Sequence, residues 1–537
     1  MRHNLLKFGR VALAILVFSG LTIAFVDFRG FSPKMLGHVL AHAQFVPALV
    51  SVFAGGVGAV ILTGGIVAAA LIGRIYCSAI CPLGILQDIV LRAKHWFSRK
   101  KRFLPYSKAF NKVRQVFLWG AVVACLAGWV GFTLSLLDPY SNFGRIVSML
   151  FRPLLTVANN AIVGTANAWG FQNLYRVDPA WASAGLLIFP AAFLTVIVVM
   201  SALRGRLYCN TVCPVGTVLG FVSRFAAFRI TIDKNACTKC GDCLRSCKAQ
   251  CIDLRNGEID ASRCVACYNC IGACEEHGVK YRFSWSPNPK PSGSTKGSPT
   301  NPAKRDAATD LDRRNFLGAV ASGILGTTAL AAIARAEPKS PETSTLAQQG
   351  AASRAVCPPG SQSVSRFLDQ CTGCQLCVSA CPTHVLQPAL MEYGVEGIFK
   401  PQLKYSSAYC LFECNRCGQV CPDGAIELLD LAKKQTAQIG VADFYQSRCV
   451  VEINGTDCAA CSEHCPTKAV TTVPFRENLR LPVLNQKLCI GCGACEYACP
   501  VRPVKAIVVT GRSVHAEAEK LVEKKATAPV PTGEFPF

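Results

Sequence analysis

Four long apolar stretches divide the N-terminal part of the chain: Val11–Val26, Val46–Gly73, Val116–Leu137 and Ser183–Leu203. A helix needs about 20 apolar residues to cross roughly 30 Å of hydrocarbon, and these stretches approach or exceed that length. The first is short enough for a signal peptide, but no small-residue cleavage site follows it, so we interpret it as an anchor. The pattern predicts an α-helical membrane domain with four spans over residues 1–230.

The basic residues between the spans predict their orientation. The loop from Arg92 to Arg114 contains nine Lys and Arg residues, whereas the longer segment from Asp138 to Ala182 contains three. By the positive-inside rule, the N terminus and the first of these loops are cytoplasmic, and the second is an outer loop. The chain after the fourth span therefore begins in the cytoplasm.

A motif repeats at the ends of two of these spans. The sequence RIYCSAICPLG, which begins at Arg74, returns as RLYCNTVCPVG at Arg206. Its four thiols have two interpretations: they converge on one metal or redox centre, or they start helices and only pack. The cysteines concerned are Cys77, Cys81, Cys209 and Cys213.

Two other features lie in the membrane domain. His38 and His42 stand one helical turn apart, so both could face a quinol headgroup and accept its protons, or they belong to an ordinary interfacial helix. Cys125 has apolar neighbours and is expected to pack among them.

Two cysteine tetrads follow the fourth span, each with x2, x2 and x3 spacing. They are Cys237, Cys240, Cys243, Cys247 and Cys264, Cys267, Cys270, Cys274. This spacing is typical of ferredoxins with two [4Fe-4S] clusters, in which the last cysteine of each tetrad ligates the other cluster. Zinc is the alternative, but zinc sites built from CxxC pairs lack the third and fourth periodic cysteines. We predict a cytoplasmic α+β ferredoxin domain over residues 231–283, with Cys251 as a core residue.

A second targeting signal occurs in mid-chain, after a Pro-, Ser- and Lys-rich linker over residues 284–311. The segment Asp312–Leu317 matches the twin-arginine pattern through Arg313 and Arg314, and a mildly apolar run then ends at Ala336 in an A-x-A site. An ordinary fifth span is the alternative, but the run is weakly hydrophobic. The twin-arginine helix, residues 312–336, predicts export of a folded domain that already contains its cofactors.

Sixteen further cysteines follow a second linker at residues 337–366. They form four tetrads: Cys371, Cys374, Cys377, Cys381; Cys410, Cys414, Cys417, Cys421; Cys449, Cys458, Cys461, Cys465; and Cys489, Cys492, Cys495, Cys499. The second opens with x3 and the third with x8, which favours one ferredoxin fold inserted into another, the first tetrad pairing with the fourth and the second with the third. We predict a periplasmic four-cluster domain over residues 367–511 and a flexible tail over 512–537, with Cys357 outside the tetrads.

Composition excludes several classes of protein. With 537 residues, 31 cysteines, 51% hydrophobic and 17% charged residues, the chain is neither one compact soluble domain nor disordered nor a small disulfide scaffold. Its 56 basic and 33 acidic residues give a net charge of +23. Six oxidised clusters with their ligands would add on the order of −12. The remaining basic residues sit in loops that face anionic lipid, so we exclude a nucleic-acid partner.

The first half of the chain, to about Tyr281, resembles the NapH family of membrane iron–sulfur proteins in its four spans, its two YCxxxCP repeats and the ferredoxin that follows. The second half, from Arg313 to about Gly511, is similar to the exported NapG and MauM ferredoxins in its RRxFL signal and the openings of its tetrads. In those families the two are separate partners that form a quinol dehydrogenase. The resemblance implies a fused menaquinol dehydrogenase of the bacterial inner membrane, with six [4Fe-4S] clusters.

In this interpretation the partners are the quinone pool, membrane lipid and a periplasmic cytochrome or terminal reductase. No catalytic residue can be assigned, since no CxxCH, P-loop or dinucleotide-binding glycine motif is visible. One alternative is a NosR-like maturation or regulatory protein, although such chains carry a large flavin-binding domain before their first span and only ten residues precede Val11 here. Another is electron flow outward from a cytoplasmic ferredoxin or dehydrogenase.

Overall fold

The computed structural model describes residues 2–27, 34–53, 58–97, 106–169, 175–177, 181–283, 355–476 and 478–520. They form a helical bundle over the described residues between 2 and 223, a first module over residues 228–283 and a second module over residues 355–520. The linker 284–311 and the twin-arginine segment 312–336 lie outside the described residues, as do Arg313, Arg314 and Ala336.

In the bundle, each copy of the repeated motif forms a short helix followed by the start of a longer one, and further helices surround them. Its helices are α1 (Arg2–Val26), α2 (Lys34–His42), α3 (Phe45–Phe53), α4 (Gly58–Ile72), α5 (Tyr76–Ala79), α6 (Pro82–Phe97), α7 (Asn111–Leu126), α8 (Val130–Leu137), α9 (Pro139–Arg145), a π-helix (Ile146–Phe151), α10 (Arg152–Ala168), α11 (Ala184–Arg204), α12 (Leu207–Thr211) and α13 (Pro214–Ser223).

Among the described residues, three helical stretches are long and apolar enough to cross a membrane: Leu5–Val26, Pro139–Ala168 and Ala184–Arg204. The third leaves large apolar side chains uncovered, and Ile188 and Leu203 are 69% and 66% exposed. Exposed apolar faces of this kind are typical of membrane contact. The first and fourth predicted spans therefore correspond to α1 and α11, and the apolar helices support association with a membrane.

The second and third predicted spans are each divided, so the prediction of two continuous spans was wrong. The stretch Val46–Gly73 forms α3 and α4, which pack so closely that a Cβ atom on Gly58 would lie 1.9 Å from Ser51 Oγ. The stretch Val116–Leu137 forms α7 and α8, separated at Gly128, whose φ of +91° suits glycine. Mean hydropathy does not predict the positions at which a glycine allows two helices to pack closely or the chain to change direction.

A long helical stretch occupies much of the segment predicted as an outer loop, which corrects that prediction. Asp138 caps its start, because its carboxylate accepts a hydrogen bond from the backbone N–H of Tyr140 at 3.1 Å, and Pro139 takes the first helical position. Polar residues lower the mean hydropathy of this stretch to 1.5, against 2.6 for the stretch that contains α11. The lower mean hydropathy explains why the sequence pattern did not predict a span in this segment.

Two antiparallel ladders frame the first module. β1 (Phe228–Ile232) pairs with β4 (Val279–Phe283), and β2 (Ile252–Asp253) pairs with β3 (Glu258–Ile259). The short helices α14 (Asp242–Arg245) and α15 (Asn269–Gly272) each follow the start of a cysteine tetrad. This is the α+β arrangement predicted for the domain.

The second module contains three antiparallel ladders, β5–β6, β8–β9 and β7–β10. Its elements are α16 (Val364–Gln370), α17 (Leu376–Ala380), β5 (Leu386–Pro388), β6 (Pro401–Leu403), α18 (Arg416–Val420), α19 (Leu431–Lys434), β7 (Ala437–Phe444), α20 (Val450–Asn454), α21 (Ala460–Glu463), β8 (Val470–Pro474), β9 (Arg480–Leu484), α22 (Ala494–Ala498) and β10 (Ile507–Glu517). Glu517 pairs with Ala437, and Val356 forms a bridge with Leu403. The module thus extends past both predicted boundaries, and residues 512–517 are strand rather than tail.

The two modules meet α1 at different heights. Near its start, the Arg10 guanidinium lies 3.6 Å from Asp88, which also binds Lys248 of the first module. Near its end, Phe25 belongs to an apolar cluster that includes Cys374 of the second module. These fifteen residues of helix correspond to about 22 Å. The modules therefore occupy opposite ends of the bundle.

Candidate iron–sulfur and thiol sites

The tetrad cysteines of the first module form two groups. Each joins the first three cysteines of one tetrad to the last cysteine of the other, which is the crossed arrangement expected of two-cluster ferredoxins. Set 1 is Cys237, Cys240, Cys243 and Cys274, and set 2 is Cys247, Cys264, Cys267 and Cys270.

The second module forms four such groups, and the predicted pairing of its tetrads was wrong. The last cysteines are exchanged between the first and second tetrads, and between the third and fourth. Set 3 is Cys371, Cys374, Cys377 and Cys421; set 4 is Cys381, Cys410, Cys414 and Cys417; set 5 is Cys449, Cys458, Cys461 and Cys499; set 6 is Cys465, Cys489, Cys492 and Cys495. The longer x3 and x8 openings therefore enlarge loops within each pair instead of inserting one ferredoxin fold into another.

The surroundings of these thiols suit [4Fe-4S] clusters. Backbone N–H groups point at the sulfur atoms, as where Ile426 donates to Cys421 Sγ at 3.4 Å. Left-handed turns direct the chain around them, with φ of +63° at Gly373 and +80° at Gly493. Buried thiols with amide donors are the environment in which iron–sulfur clusters are ligated and tuned. In the described part of the chain, no group of three or more His, Cys, Asp or Glu side chains is arranged to hold a single metal ion.

The sets of the second module follow one another in space. Cys417 of set 4 is an electrostatic neighbour of Cys377 in set 3. The backbone N–H of Cys410, also in set 4, donates to the carbonyl of Cys492 in set 6 at 3.0 Å. Sets 5 and 6 interleave as one exchanged pair. The order is set 3, set 4, set 6 and set 5.

Set 3 contacts the bundle, and α18, which carries Cys417 of set 4, also contacts α2. The buried guanidinium of Arg145 donates to the carbonyls of Thr372 at 2.8 Å and Gly373 at 3.0 Å, within the loop of set 3. Arg152 donates to the carbonyl of Ser379 at 3.0 Å. Neither arginine was singled out from the sequence, although an arginine in an apolar segment is itself a signal of function.

The four thiols of the repeated motif, which we call the CxxxCP core, lie together in one apolar cluster, each 3–4% exposed. One of them, Cys213, also caps α13, since its Sγ accepts a hydrogen bond from the backbone N–H of Gly216 at 3.4 Å. The two interpretations of this motif are therefore not exclusive. Cys267 of set 2 packs against the same cluster.

Arginines from the two repeats cross over to each other. Arg74 donates to the carbonyl of Gly216 at 2.8 Å and to Asn210 Oδ1 at 2.7 Å. Arg206 donates to the carbonyl of Cys77. The repeat in the sequence thus becomes a reciprocal pair of contacts that holds both copies in one unit.

α9 connects the CxxxCP core with set 3. Asp138 at its start is an electrostatic neighbour of Cys213 and Tyr208 in the core. Tyr140 in its first turn is a neighbour of Cys374 and Cys421 in set 3. With seven residues, α9 is about 10 Å long. Set 2, the CxxxCP core and set 3 are therefore successive neighbours.

A buried charge cluster attaches the first module to the bundle. Asp88 lies 2.8 Å from Arg206 and 2.8 Å from Lys248. Burial alone would raise the pKa of the Asp88 carboxyl, but the charges of Arg206 and Lys248 hold it well below its usual range. This cluster has no signature in the sequence beyond an acidic residue after the first copy of the motif.

The structure also describes the two histidines and the three cysteines outside the tetrads and the repeated motif. Nε2 of His38 and Nε2 of His42 are 2.9 Å apart, so the imidazoles contact each other, and their role toward a quinol stays a prediction. Cys251 Sγ is buried 3.6 Å from Cys247 Sγ. Cys357 is 1% exposed in the core of the second module, and Cys125 is half-buried on α7.

Comparisons with known proteins support the cluster-binding interpretation. A 4Fe-4S binding domain model matches residues 54–103 and 186–233, which contain the CxxxCP core, and 4Fe-4S dicluster domain models match residues 260–385, 370–425 and 455–503. The ferredoxin-type protein NapF of Escherichia coli is 30% identical over 155 residues, 29% of this chain and 86% of that protein. The methylamine utilization ferredoxin-type protein MauM of Paracoccus denitrificans is 30% identical over 203 residues, 36% and 82%. NapG of Escherichia coli is 28% identical over 151 residues, 26% and 64%.

No solved structure matches the chain significantly. Grouped cysteine tetrads attached to an apolar helical bundle define an iron–sulfur protein with several 4Fe-4S domains. The chain belongs to the family of ferredoxin-type proteins that includes NapF and MauM. Iron–sulfur electron transfer is the activity consistent with these relatives. The relation of the first half to NapH stays a prediction.

Proposed function

We propose that the chain is a membrane-bound quinol dehydrogenase that passes electrons to a periplasmic cytochrome or reductase. The observation that carries this proposal is the placement of set 3 against the bundle, with sets 4, 6 and 5 leading away from it. When bound, [4Fe-4S] clusters supply one-electron redox chemistry. The residues of sets 1 to 6 would hold six of them.

We assign the first module to the cytoplasm and the second to the periplasm. Two observations support this assignment: the attachment points on α1 are about 22 Å apart, and Ser107, within the predicted cytoplasmic segment, hydrogen-bonds to Gln250 of the first module. The twin-arginine segment between them would export the second module after its clusters are inserted in the cytoplasm. Menaquinol is the expected donor, since it is a lipid-soluble carrier that reaches the bundle from the bilayer.

The CxxxCP core would hold a further redox centre between set 2 and set 3. Its support is the grouping of four buried thiols, the contact of Cys267 with that group, and α9 between the group and set 3. This arrangement favours a second candidate function, in which a cytoplasmic donor reduces the first module and electrons pass outward through the core. The contact of the core with set 2 is the observation that distinguishes it from a periplasmic relay alone.

Two measurements on the full chain, purified anaerobically in nanodiscs, test the proposed function. Metal analysis is expected to give about 24 iron atoms for the six sets, and more if the core is occupied. A menaquinol analogue is then expected to reduce the clusters, as seen by electron paramagnetic resonance, with dithionite as the positive control. Zinc in place of iron, or clusters that dithionite reduces but no quinol does, would contradict the proposal.

The CxxxCP core is tested by the double variant Cys77→Ser, Cys209→Ser against Cys125→Ser. The double variant is expected to lose iron and slow the passage of electrons between the two modules, whereas Cys125→Ser leaves both unchanged because Cys125 lies outside the group. Iron content and intermodule transfer equal to wild type in all variants would show that the thiols only pack.

A further inference from the structure

A cleft of about 650 Å³ lies between the bundle and the second module. One wall comes from the π-helix and the start of α11, with Ser148, Met149 and Leu186. The opposite wall comes from the loop of set 3 and the residues after it, with Gln375 and Leu390. Its lining is mixed: apolar side chains such as Leu186 stand beside polar and charged ones, including Arg152, Glu392 and Lys404, and a cleft of this size is typical of sites for small ligands.

Two polar atoms on these walls lack a partner. Ser148 Oγ and Gln375 Oε1 are buried without a hydrogen-bond partner among the described residues. The assignment of the Gln375 amide is chemically fixed, because its Nε2 faces the carbonyls of Gly373 at 3.2 Å and of Phe399, and only the nitrogen can donate. Buried unpaired groups carry a free-energy cost that a ligand with matching groups removes. A hydroxyl that donates to Gln375 Oε1 is such a group.

The cleft adjoins both the membrane and set 3. Gln375 directly follows Cys374, and Val378, another lining residue, directly follows Cys377. Leu186 lies in the first turn of α11, a helix long and apolar enough to cross a membrane. The π-helix, which carries Ser148 and Met149, forms part of the cleft wall, and π-helices are irregularities that are frequent at functional sites. A lipid-soluble molecule that enters beside α11 would therefore reach set 3 without a further protein layer.

We propose that this cleft binds the headgroup of a quinol, with one hydroxyl hydrogen-bonded to Gln375 Oε1. This inference rests on the proposed function and gives its donor a place. In the reaction both quinol O–H bonds break, one quinone forms, and two protons leave to water at the mouth of the cleft. The two electrons need two one-electron acceptors, and the [4Fe-4S] clusters that sets 3 and 4 would hold are acceptors of this class.

The test uses the full chain in nanodiscs with a photoreactive azidoquinone, read by mass spectrometry, with the menaquinol analogue as competitor. Labelling is expected on the cleft walls and is expected to fall at least fivefold with the competitor. Leu390→Trp should fill the cleft and lower labelling to a similar degree. Leu154→Trp is the matched control, because Leu154 is 57% exposed on α10 and does not line the cleft.

Gln375→Leu removes the acceptor Oε1, together with the hydrogen bonds that Nε2 donates to the carbonyls of Gly373 and Phe399, and is expected to raise the quinol concentration needed for half-maximal labelling about tenfold. Its dithionite-reduced spectrum should equal wild type, which shows that set 3 is intact. Labelling away from the cleft, or wild-type labelling and quinol reduction in both Leu390→Trp and Gln375→Leu, would overturn the site while the dehydrogenase function stands. Failure of every quinol to reduce the wild-type protein would instead remove the proposed function, and this site with it.

Discussion

The two modules attach to the bundle by different chemistry. The first is held by a buried carboxylate, Asp88, shared among Arg206, Lys248 and Arg10. The second is held by buried arginines that donate to backbone carbonyls, and by an apolar cluster around Phe25. The charged contacts of the first module centre on one carboxylate, beside the hydrogen bond from Ser223 Oγ to the carbonyl of Ala261 and the packing of Cys267 against the CxxxCP core. The attachment of the second module is distributed over a loop that also surrounds set 3. Removing one charge is therefore expected to weaken the first attachment, whereas no single group dominates the second.

The largest expected effect comes from Asp88→Ala. Removing this carboxylate leaves three buried cations unneutralised, which costs roughly 3–5 kcal/mol. We expect the first module to detach and become sensitive to protease while the second stays protected. Asp233→Ala is the control, because its partner Lys280 is exposed and solvent screens this surface ion pair, so its loss should matter little. Equal protease resistance in both variants would contradict the comparison.

Arg145→Lys is expected to have the next largest effect. Lysine keeps the charge but cannot donate to Thr372 and Gly373 together, and it loses the contact with the Phe399 ring, 4.6 Å from the guanidinium. We expect a loss of about 2 kcal/mol, seen as faster hydrogen exchange in the loop of set 3. Exchange in the first module should stay unchanged; parallel increases in both modules would show that the attachments are not independent.

Gly216→Ala tests the close packing of the CxxxCP core. Its Cβ atom would lie 2.2 Å from the carbonyl oxygen of Cys209, so we expect a cost of about 1–3 kcal/mol in thermal unfolding. Gly120→Ala is the matched control on α7, where a Cβ atom meets nothing within 4 Å. It should be neutral or slightly stabilising. Equal loss in the two variants would argue against a tightly packed core.

The smallest effect concerns pH and the second module. Burial lowers the pKa of His515 to about 4, below its usual value of about 6.5. Between those values the unfolded chain binds more protons, so this contribution to stability is complete above pH 6.5 and is lost as the pH falls toward 4. After allowing for partial exposure, we expect about 2 kcal/mol. His515→Gln should flatten this dependence in denaturant titrations; an unchanged slope would contradict it.

The sequence predicted the chemistry better than the architecture. Cysteine spacing identified all six tetrads and the exchange between the two tetrads of the first module, because ligation fixes short local distances, and the repeat at Arg74 and Arg206 indicated a two-copy unit. The pairing of the outer tetrads was missed, since loop length alone does not say which neighbour supplies the last cysteine. Two predicted spans are divided near Gly58 and Gly128, and a helix capped by Asp138 lies in a predicted loop, so hydropathy did not predict these features. The cluster at Asp88 depends on residues far apart in the chain, which periodicity cannot bring together.

The central claim is that electrons from quinol enter the second module at set 3. Its most direct test is the reduction of Cys377→Ala by a menaquinol analogue, followed by freeze-quench electron paramagnetic resonance and compared with Cys240→Ala in set 1. We predict that in Cys377→Ala the remaining outer clusters stay oxidised when quinol is added but are reduced by dithionite. In Cys240→Ala, quinol should reduce the outer clusters as in wild type. Reduction of sets 4, 5 and 6 at the wild-type rate in Cys377→Ala would contradict the claim.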